Sequence, residues 1–266
     1  MLDREYRVKG DELIFRVCPF CGNDRWNFQV NVELGVYHCW ACNAGGSISK
    51  IRHMLPLQVK VDEVSSNYEE VEDLHKYSPV WVYPSVMKYL EGRGFTQEDA
   101  NLWNVRTDGQ VLFFPLLVKG DKVKYWVKKD LSTGKYYCPK GVSKREVLVF
   151  KEGDEYQDIC VIVEGLFDGM KVRKAGFSVF VLLGKLLFKE WAQFLNELEK
   201  DKAVMLDGDV SEQDLDNVCR NIRDVWVGLL DKDKDPADCS IEEIRQLVLN
   251  AESYGVSVRL RKRWQR

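Results

Sequence analysis

A chain of 266 residues with 45% hydrophobic and 30% charged side chains can hold one large domain or two smaller ones with ample core. No apolar run approaches the ~18 residues of a membrane helix, and the charged start Met1-Leu2-Asp3-Arg4-Glu5 has no signal-peptide core, so the cytoplasm is the expected location. The net charge of −3 conceals a strong asymmetry that a bound polyanion would feel locally. Leu117 to Arg145 carries nine Lys/Arg against two Asp, Asn196 to Glu243 carries fifteen Asp/Glu against six Lys/Arg, and the tail Arg259 to Arg266 carries five basic side chains.

In chain order, residues 1–55 read as a small β-rich module ending in a short helix near Ser47–Leu55. Its apolar positions are too few for an independent core, so it needs a staple. Cys18-Pro-Phe-Cys21 and Cys39-Trp-Ala-Cys42, with seventeen residues between them, supply it. Two such knuckles complete a tetrahedron of thiolates around a structural Zn²⁺ with no open coordination position. Arg25, Trp26, Tyr37, His38 and Trp40 lie around the knuckles and could stack on or hydrogen-bond unpaired bases, or simply cover the small core. Cys138, Cys160, Cys219 and Cys239 are scattered and read as buried or free thiols.

Residues 56–75, with Val-Ser-Ser-Asn and the acidic run Glu69 to Asp73, read as a linker. Residues 76–157 form a basic, mixed α+β segment. Thr96-Gln-Glu-Asp99 is a capping box opening a helix, and Val111–Pro115, Lys122–Lys128 and Val147–Phe150 read as strands. Lys128, Lys129 and Lys135 fall in a strand–turn–strand stretch rich in Tyr and Trp, which suits nucleotide phosphates or a single strand but also a solvated hairpin.

Residues 158–266 alternate strand and helix. The expected strands are Ile159–Val163, Ser178–Leu182, Ala203–Leu206, Val225–Leu229 and Val256–Leu260. The expected helices are Leu166–Ala175, Leu187–Glu199, Glu212–Arg223 and Ile241–Asn250, the last capped by Ser240 and Glu243. Uniformly apolar strands in βα alternation predict a parallel sheet with helices on both faces, whose sites form at strand carboxyl ends. Carboxylates lie there: Glu164 closes one strand with Asp168 four residues on, and Asp207-Gly208-Asp209 closes another. Such a set suits Mg²⁺, or a pair of ions, acting on a phosphate-bearing substrate. The acidic loop Asp231 to Asp238 follows the next strand, so Asp235 is a further candidate.

The order of zinc ribbon, linker, basic β-rich segment and E-G-x-x-D/D-x-D sheet resembles the bacterial and phage (DnaG-type) DNA primases over nearly the whole chain. The segments that carry the resemblance are Cys18-Pro-Phe-Cys21-Gly, Tyr37-His38-Cys39-Trp40-Ala-Cys42 with Gly45-Gly46, and Tyr89-Leu-Glu-Gly-Arg93-Gly94. To these are added Leu112-Phe-Phe-Pro115, Lys135-Tyr136, Val163-Glu164-Gly165-Leu-Phe-Asp168, Leu206-Asp207-Gly208-Asp209 and Lys234-Asp235-Pro236. The resemblance implies a toprim-like catalytic sheet and synthesis of short RNA primers from NTPs on single-stranded DNA. It implies Glu164, Asp207 and Asp209 as ligands of Mg²⁺ or Mn²⁺, two ions in number, with Asp168 and Asp235 supporting them. It implies Lys128 and Lys135 as nucleotide or template contacts and a zinc module that helps select the start site on the template; Arg25, Trp26, His38 and Trp40 of that module and Lys129 of the basic segment are the candidate nucleic-acid contacts, and a separate replicative helicase is the expected partner. Lys128 stands where the family usually has arginine, and Ala237 where it often has an acid. The small size looks phage-like, which would place the protein in a host cytoplasm. A non-catalytic zinc-and-toprim recombination mediator and a toprim nuclease are the rival readings.

Overall fold

The computed structural model describes residues 5–9, 12–32, 35–42, 44–55, 71–139 and 142–255. The expected strand Val256–Leu260, the basic tail Arg259 to Arg266 and positions 56–70 of the expected linker lie outside the described residues. The chain divides into two compact units, Met1–Glu70 and Val71–Arg266. Among the described residues no helix is long and apolar enough to cross a membrane.

The first unit is an antiparallel meander of β1 (Tyr6–Lys9), β2 (Glu12–Phe15), β3 (Phe28–Asn31), β4 (Val36–Cys39) and β5 (Gly45–Ser47), paired in that order. Alternation puts Leu13, Phe15, Phe28, Val30, Tyr37 and Cys39 on one face, where they form a small core with Ile48 and Ile51. The helix expected near Ser47–Leu55 is instead two 3-10 turns, Ile48–Lys50 and Arg52–Met54. Leu55 precedes Pro56 and is extended (ψ 148°), because a proline disfavours the helical conformation in the residue before it.

The second unit begins earlier than expected. β6 (Glu72–Asp73) pairs with a later strand, so the end of the expected linker is ordered sheet. Then follow β7 (Ser78–Pro79), α1 (Pro84–Gly92), α2 (Gln97–Leu102), β8 (Arg106–Thr107), β9 (Val111–Lys119), β10 (Lys122–Asp130) and β11 (Tyr136–Tyr137). Thr96 and Asp99 cap α2 reciprocally, as their spacing predicts. The sheet runs β11-β10-β9-β8-β7, with β6 also on β10. β9 and β10 extend beyond the expected strands, and a register shift between Val123 and Trp126 interrupts their ladder.

The remaining elements are β12 (Val149–Lys151), β13 (Tyr156–Val163), α3 (Leu166–Lys174), β14 (Phe177–Val181), α4 (Lys189–Glu197), β15 (Asp201–Val204), α5 (Glu212–Cys219), β16 (Val225–Val227), α6 (Ile241–Leu249) and β17 (Glu252–Ser253). Their order in the sheet is β12-β14-β13-β15-β16-β17. The four central strands are parallel, as predicted, but both edges are antiparallel. β12 leaves the basic segment to close one edge, where Val149 pairs with Val181 and joins the same core. α4 and α5 are shorter at their ends than their apolar patterns suggest.

Strand alternation sends Val161, Val163, Val179 and Val181 to a face covered by α3 and α6. Cys160, Ile162, Phe180 and Leu182 go to the other face, under α4 and α5. The first of these cores also takes in Val80, Phe95, Trp103, Phe114 and Tyr125, so residues 76–157 and the parallel sheet share one interior. Trp191 anchors the opposite core. It is fully buried, meets Phe180 and Phe188 edge-on, and donates its indole N–H to the Arg145 carbonyl at 3.1 Å. Trp191→Ala should lower unfolding free energy by about 3–5 kcal/mol, measured by urea denaturation.

Candidate active site and thiol cluster

The chain leaves β13 through α3 toward β14 on one side, and leaves β15 through α5 toward β16 on the other. The connections therefore diverge at the carboxyl ends of β13 and β15, which is where open α/β sheets form a crevice for ligands. Glu164 follows β13 and Asp207 follows the run that continues β15. The Asp207 N–H points at Glu164 Oε1, 3.4 Å away.

This crevice is crowded with negative charge. Glu164 and Asp168 are each only 6% exposed. Burial first, and then the Asp207 carboxylate, push Glu164 up from 4.5 to about 7. Burial, Asp235 and Asp207 push Asp168 up from 3.8 to about 7. Asp207 is raised too, by burial and then by Asp235. The same causes act on all three: charges are withdrawn from water and gathered next to one another.

The roles differ by hydrogen bonding. Asp168 accepts from the Gly165 N–H at 2.8 Å and from the Ala237 N–H at 3.2 Å, so both its oxygens brace backbone. It ties the start of α3 to the short turn Pro236–Asp238, which Asp235 caps by accepting from the Asp238 N–H at 2.9 Å. Asp207 Oδ1, by contrast, is buried without a partner. A desolvated carboxylate oxygen with no donor is the environment a cation would relieve. Gly208 lets the loop lie here. A Cβ on it would sit 1.8 Å from the Asp231 carbonyl oxygen, and its N–H donates to the Lys234 carbonyl at 2.8 Å. Asp209 is exposed and pairs with Lys185 at 3.4 Å.

These residues fit a hard divalent ion. Among the described residues, no three carboxylates bring oxygens within 4.8 Å of one another, as the four thiols described below do.

The lysines divide between the two faces of β10. Lys129 lies 4.1 Å over the Tyr136 ring, 5.9 Å from the centre of Phe167, and donates to the Gly134 carbonyl at 3.2 Å. Arg93 at the end of α1 stacks on Phe167 at 4.6 Å, and its buried Nε has no partner. Burial and then Arg93 depress Lys129, so the two cations share one locality over Phe167. The structure does not bring Lys128 there. Lys128 turns to the opposite face, ion-pairs with Glu72 and lies 4.2 Å over Trp126. Its charge fixes β6, the entry to the unit, instead of meeting the carboxylates. Lys135 is exposed in the turn before β11. Arg93, Lys185 and Tyr136 are the site residues that spacing missed. Burial and then Arg93, Tyr89, Asp168 and Asp235 act on Tyr136, with the net effect of raising it to about 12. Arg93 and Tyr136 lie in segments that carry the family resemblance, Tyr89 to Gly94 and Lys135-Tyr136, whereas nothing in the sequence pattern singles out Lys185.

In the first unit, Cys18, Cys21, Cys39 and Cys42 bring their sulfurs within 4.8 Å of one another, which fits a tetrahedral Zn²⁺. Gly22, at φ 71°, closes the first knuckle by donating to the Cys18 carbonyl at 2.9 Å. Burial would raise the Cys39 thiol, but the Cys42 and Ala41 N–H groups and neighbouring thiols outweigh it and bring it to about 7. Tyr37 is core, stacked under Phe20 at 5.3 Å. Trp26 carries the Arg7 guanidinium at 3.9 Å, Arg25 is exposed, and Trp40 is 68% exposed with His38 edge-on at 4.5 Å.

Solved structures share this architecture. The zinc-binding and RNA polymerase domains of the Aquifex aeolicus primase align with a TM-score of 0.52 at 18% identity, over 94% of this chain and 81% of that one. It has the fold of the zinc-binding and RNA polymerase domains of DnaG-type primases. A DnaG primase catalytic domain bound to ssDNA aligns at 0.50 and 15% identity, over 66% and 76% of the two chains. A DNA primase domain from Pseudomonas aeruginosa aligns at 0.50 and 17%, over 64% and 72%. No family model and no curated protein matches the sequence.

Two predictions follow from the charges. In Mg²⁺-free buffer, Glu164→Gln and the wild type should be equally stable near pH 4. Because the folded state holds the Glu164 proton more tightly than the unfolded chain, wild-type stability should fall relative to the variant from pH 4.5 to about 7. Thermal denaturation should show the variant about 1–3 kcal/mol more stable at pH 8, and Mg²⁺ should narrow that gap. Lys128→Ala should cost roughly 1–3 kcal/mol in urea denaturation by stranding Glu72, while leaving nucleotide affinity near wild type.

Proposed function

We propose that the protein is a DNA primase, a template-directed RNA polymerase that makes short primers from NTPs on single-stranded DNA. What carries this reading is the meeting of Glu164 with the Asp207–Asp209 loop at the sheet's switch point, in a chain that also holds a four-thiol ribbon on the same fold.

Glu164, Asp207 and Asp209 hold Mg²⁺ or Mn²⁺, with Asp207 Oδ1 the oxygen most in need of a cation. A metal held by these carboxylates would supply positive charge to offset that on the nucleotide triphosphate. Asp168 keeps the Asp235 turn in place through two backbone hydrogen bonds and is a positioning residue. Arg93 and Lys129 hold phosphate or template next to Phe167, on the side where an unpaired guanidinium nitrogen awaits an anion. Lys135 on the neighbouring exposed turn contacts the strand farther out. A ribonucleotide 3′-hydroxyl attacks the α-phosphate and pyrophosphate leaves, so positioning and electrostatics supply most of the acceleration.

Zn²⁺ on Cys18, Cys21, Cys39 and Cys42 staples the first unit, which presents Trp40, His38 and Arg25 to unpaired template bases. A DnaG catalytic domain of the same fold is known with ssDNA bound, which favours a single-stranded template here. A separate replicative helicase would supply that strand.

Incubation with single-stranded DNA, labelled NTPs and Mg²⁺ should yield short RNA oligomers, and Glu164→Gln should abolish even the first dinucleotide. Template binding without oligomers on any sequence would overturn the reading in favour of a non-catalytic mediator, and cleavage of the DNA would favour a nuclease. Cys39→Ser should impair initiation far more than extension of a supplied primer, as measured by gel analysis of both reactions.

A further inference from the structure

The loop after β14 has a conformation that its own residues disfavour. Leu183 is a non-glycine residue at φ 53°, followed by Gly184 at φ 122°. A branched side chain in the left-handed region costs of the order of 1 kcal/mol and persists only where surroundings enforce it. Here two contacts do so. Lys144 Nζ donates to the Leu183 carbonyl at 2.8 Å, and the Gly184 N–H donates to the Glu164 carbonyl at 3.0 Å. The loop is therefore pinned to the residue at the centre of the acidic crevice.

The product of this arrangement is the placement of Lys185. Its Nζ lies 3.4 Å from Asp209 Oδ1, with Glu164 and Asp207 also acting on its charge. The pair does not account for the strained loop by its stability, since the lysine and aspartate side chains are 41% and 70% exposed, and such exposed pairs contribute little. A lysine fixed at the rim of a metal-binding carboxylate set opposes the metal but attracts the metal's substrate.

We propose that Lys185 is a resident counter-cation of the active site, paired with Asp209 in the absence of metal and transferred to the triphosphate of the incoming nucleotide when a divalent ion takes Asp209. The proposal rests on the metal-dependent reading above, and it assigns to this chain's own lysine a part of the triphosphate neutralisation. The charge has to be on hand but must give way: a long, flexible ammonium at a half-exposed rim can do both.

The test is Mn²⁺ binding to the full-length, zinc-loaded protein, read from the electron paramagnetic resonance signal of free Mn²⁺. A unit charge about 6 Å from a dication, screened as in water, changes its affinity by about tenfold. Lys185→Met should therefore bind Mn²⁺ about tenfold more tightly than wild type, while Lys185→Arg should match wild type. In saturating Mn²⁺, a fluorescent ribose-labelled NTP should bind Lys185→Met at least fivefold more weakly, and Lys185→Arg should recover most of that loss. Unchanged Mn²⁺ affinity in Lys185→Met, or unchanged nucleotide affinity, would overturn the proposal. Glu164→Gln keeps this separate from the underlying reading: if that variant binds Mn²⁺ as wild type does, the metal site itself has been assigned wrongly, whatever Lys185 does.

Discussion

The second unit is organised around a repulsion. Glu164, Asp168 and Asp207 are drawn out of water and set close enough to raise one another's proton affinity. Nothing in the crevice removes that cost outright. The surrounding fold supports it: two apolar layers clamp the parallel strands, and backbone N–H groups from Gly165 and Ala237 hold Asp168. One oxygen, Asp207 Oδ1, is left with no donor at all. Large cores flank the site on both faces, and a buried carboxylate oxygen with no donor is an environment that a cation would relieve.

The cations of the chain are arranged in answer to that demand, by different routes. Arg93 and Lys129 stand on the Phe167 side, where both are partly desolvated. Lys185 stands at the rim on Asp209. Lys128 belongs to neither group, since its charge is satisfied by Glu72 and three aromatic rings on the far face of the sheet. The basic composition of the middle segment is therefore two populations, one that holds β6 in place and one available to an anionic ligand.

The first unit reaches order by another means. Its apolar cluster is small, and its four sulfurs converge at the knuckle end of the meander. Coordination would supply what the core cannot, while leaving Trp40 and Arg25 on the surface. The division of labour in the chain thus follows from size: the larger unit can tolerate buried charge, and the smaller one sets four converging thiols beside a small core.

Much of this was written locally. Two C-x-x-C turns, the Thr96/Asp99 and Ser240/Glu243 caps, and apolar runs that end in Glu164 and Asp207 are short-range patterns, and short-range patterns dictate local conformation. What the sequence could not decide was which strands would lie side by side and which face each lysine would take. β13 flanks β15 although α3, β14 and α4 intervene, and that pairing alone brings Glu164 to Asp207. The register shift between Val123 and Trp126 puts both of these residues on one face, so counting alternation along β10 does not tell Lys128 from Lys129. Lys185 meets Asp209 from a loop in which Leu183 is held in a conformation its side chain disfavours. Spacing along the chain determined the chemistry on offer, whereas burial of one strand against another determined which groups could act together, because that choice depends on the whole core and not on any single segment.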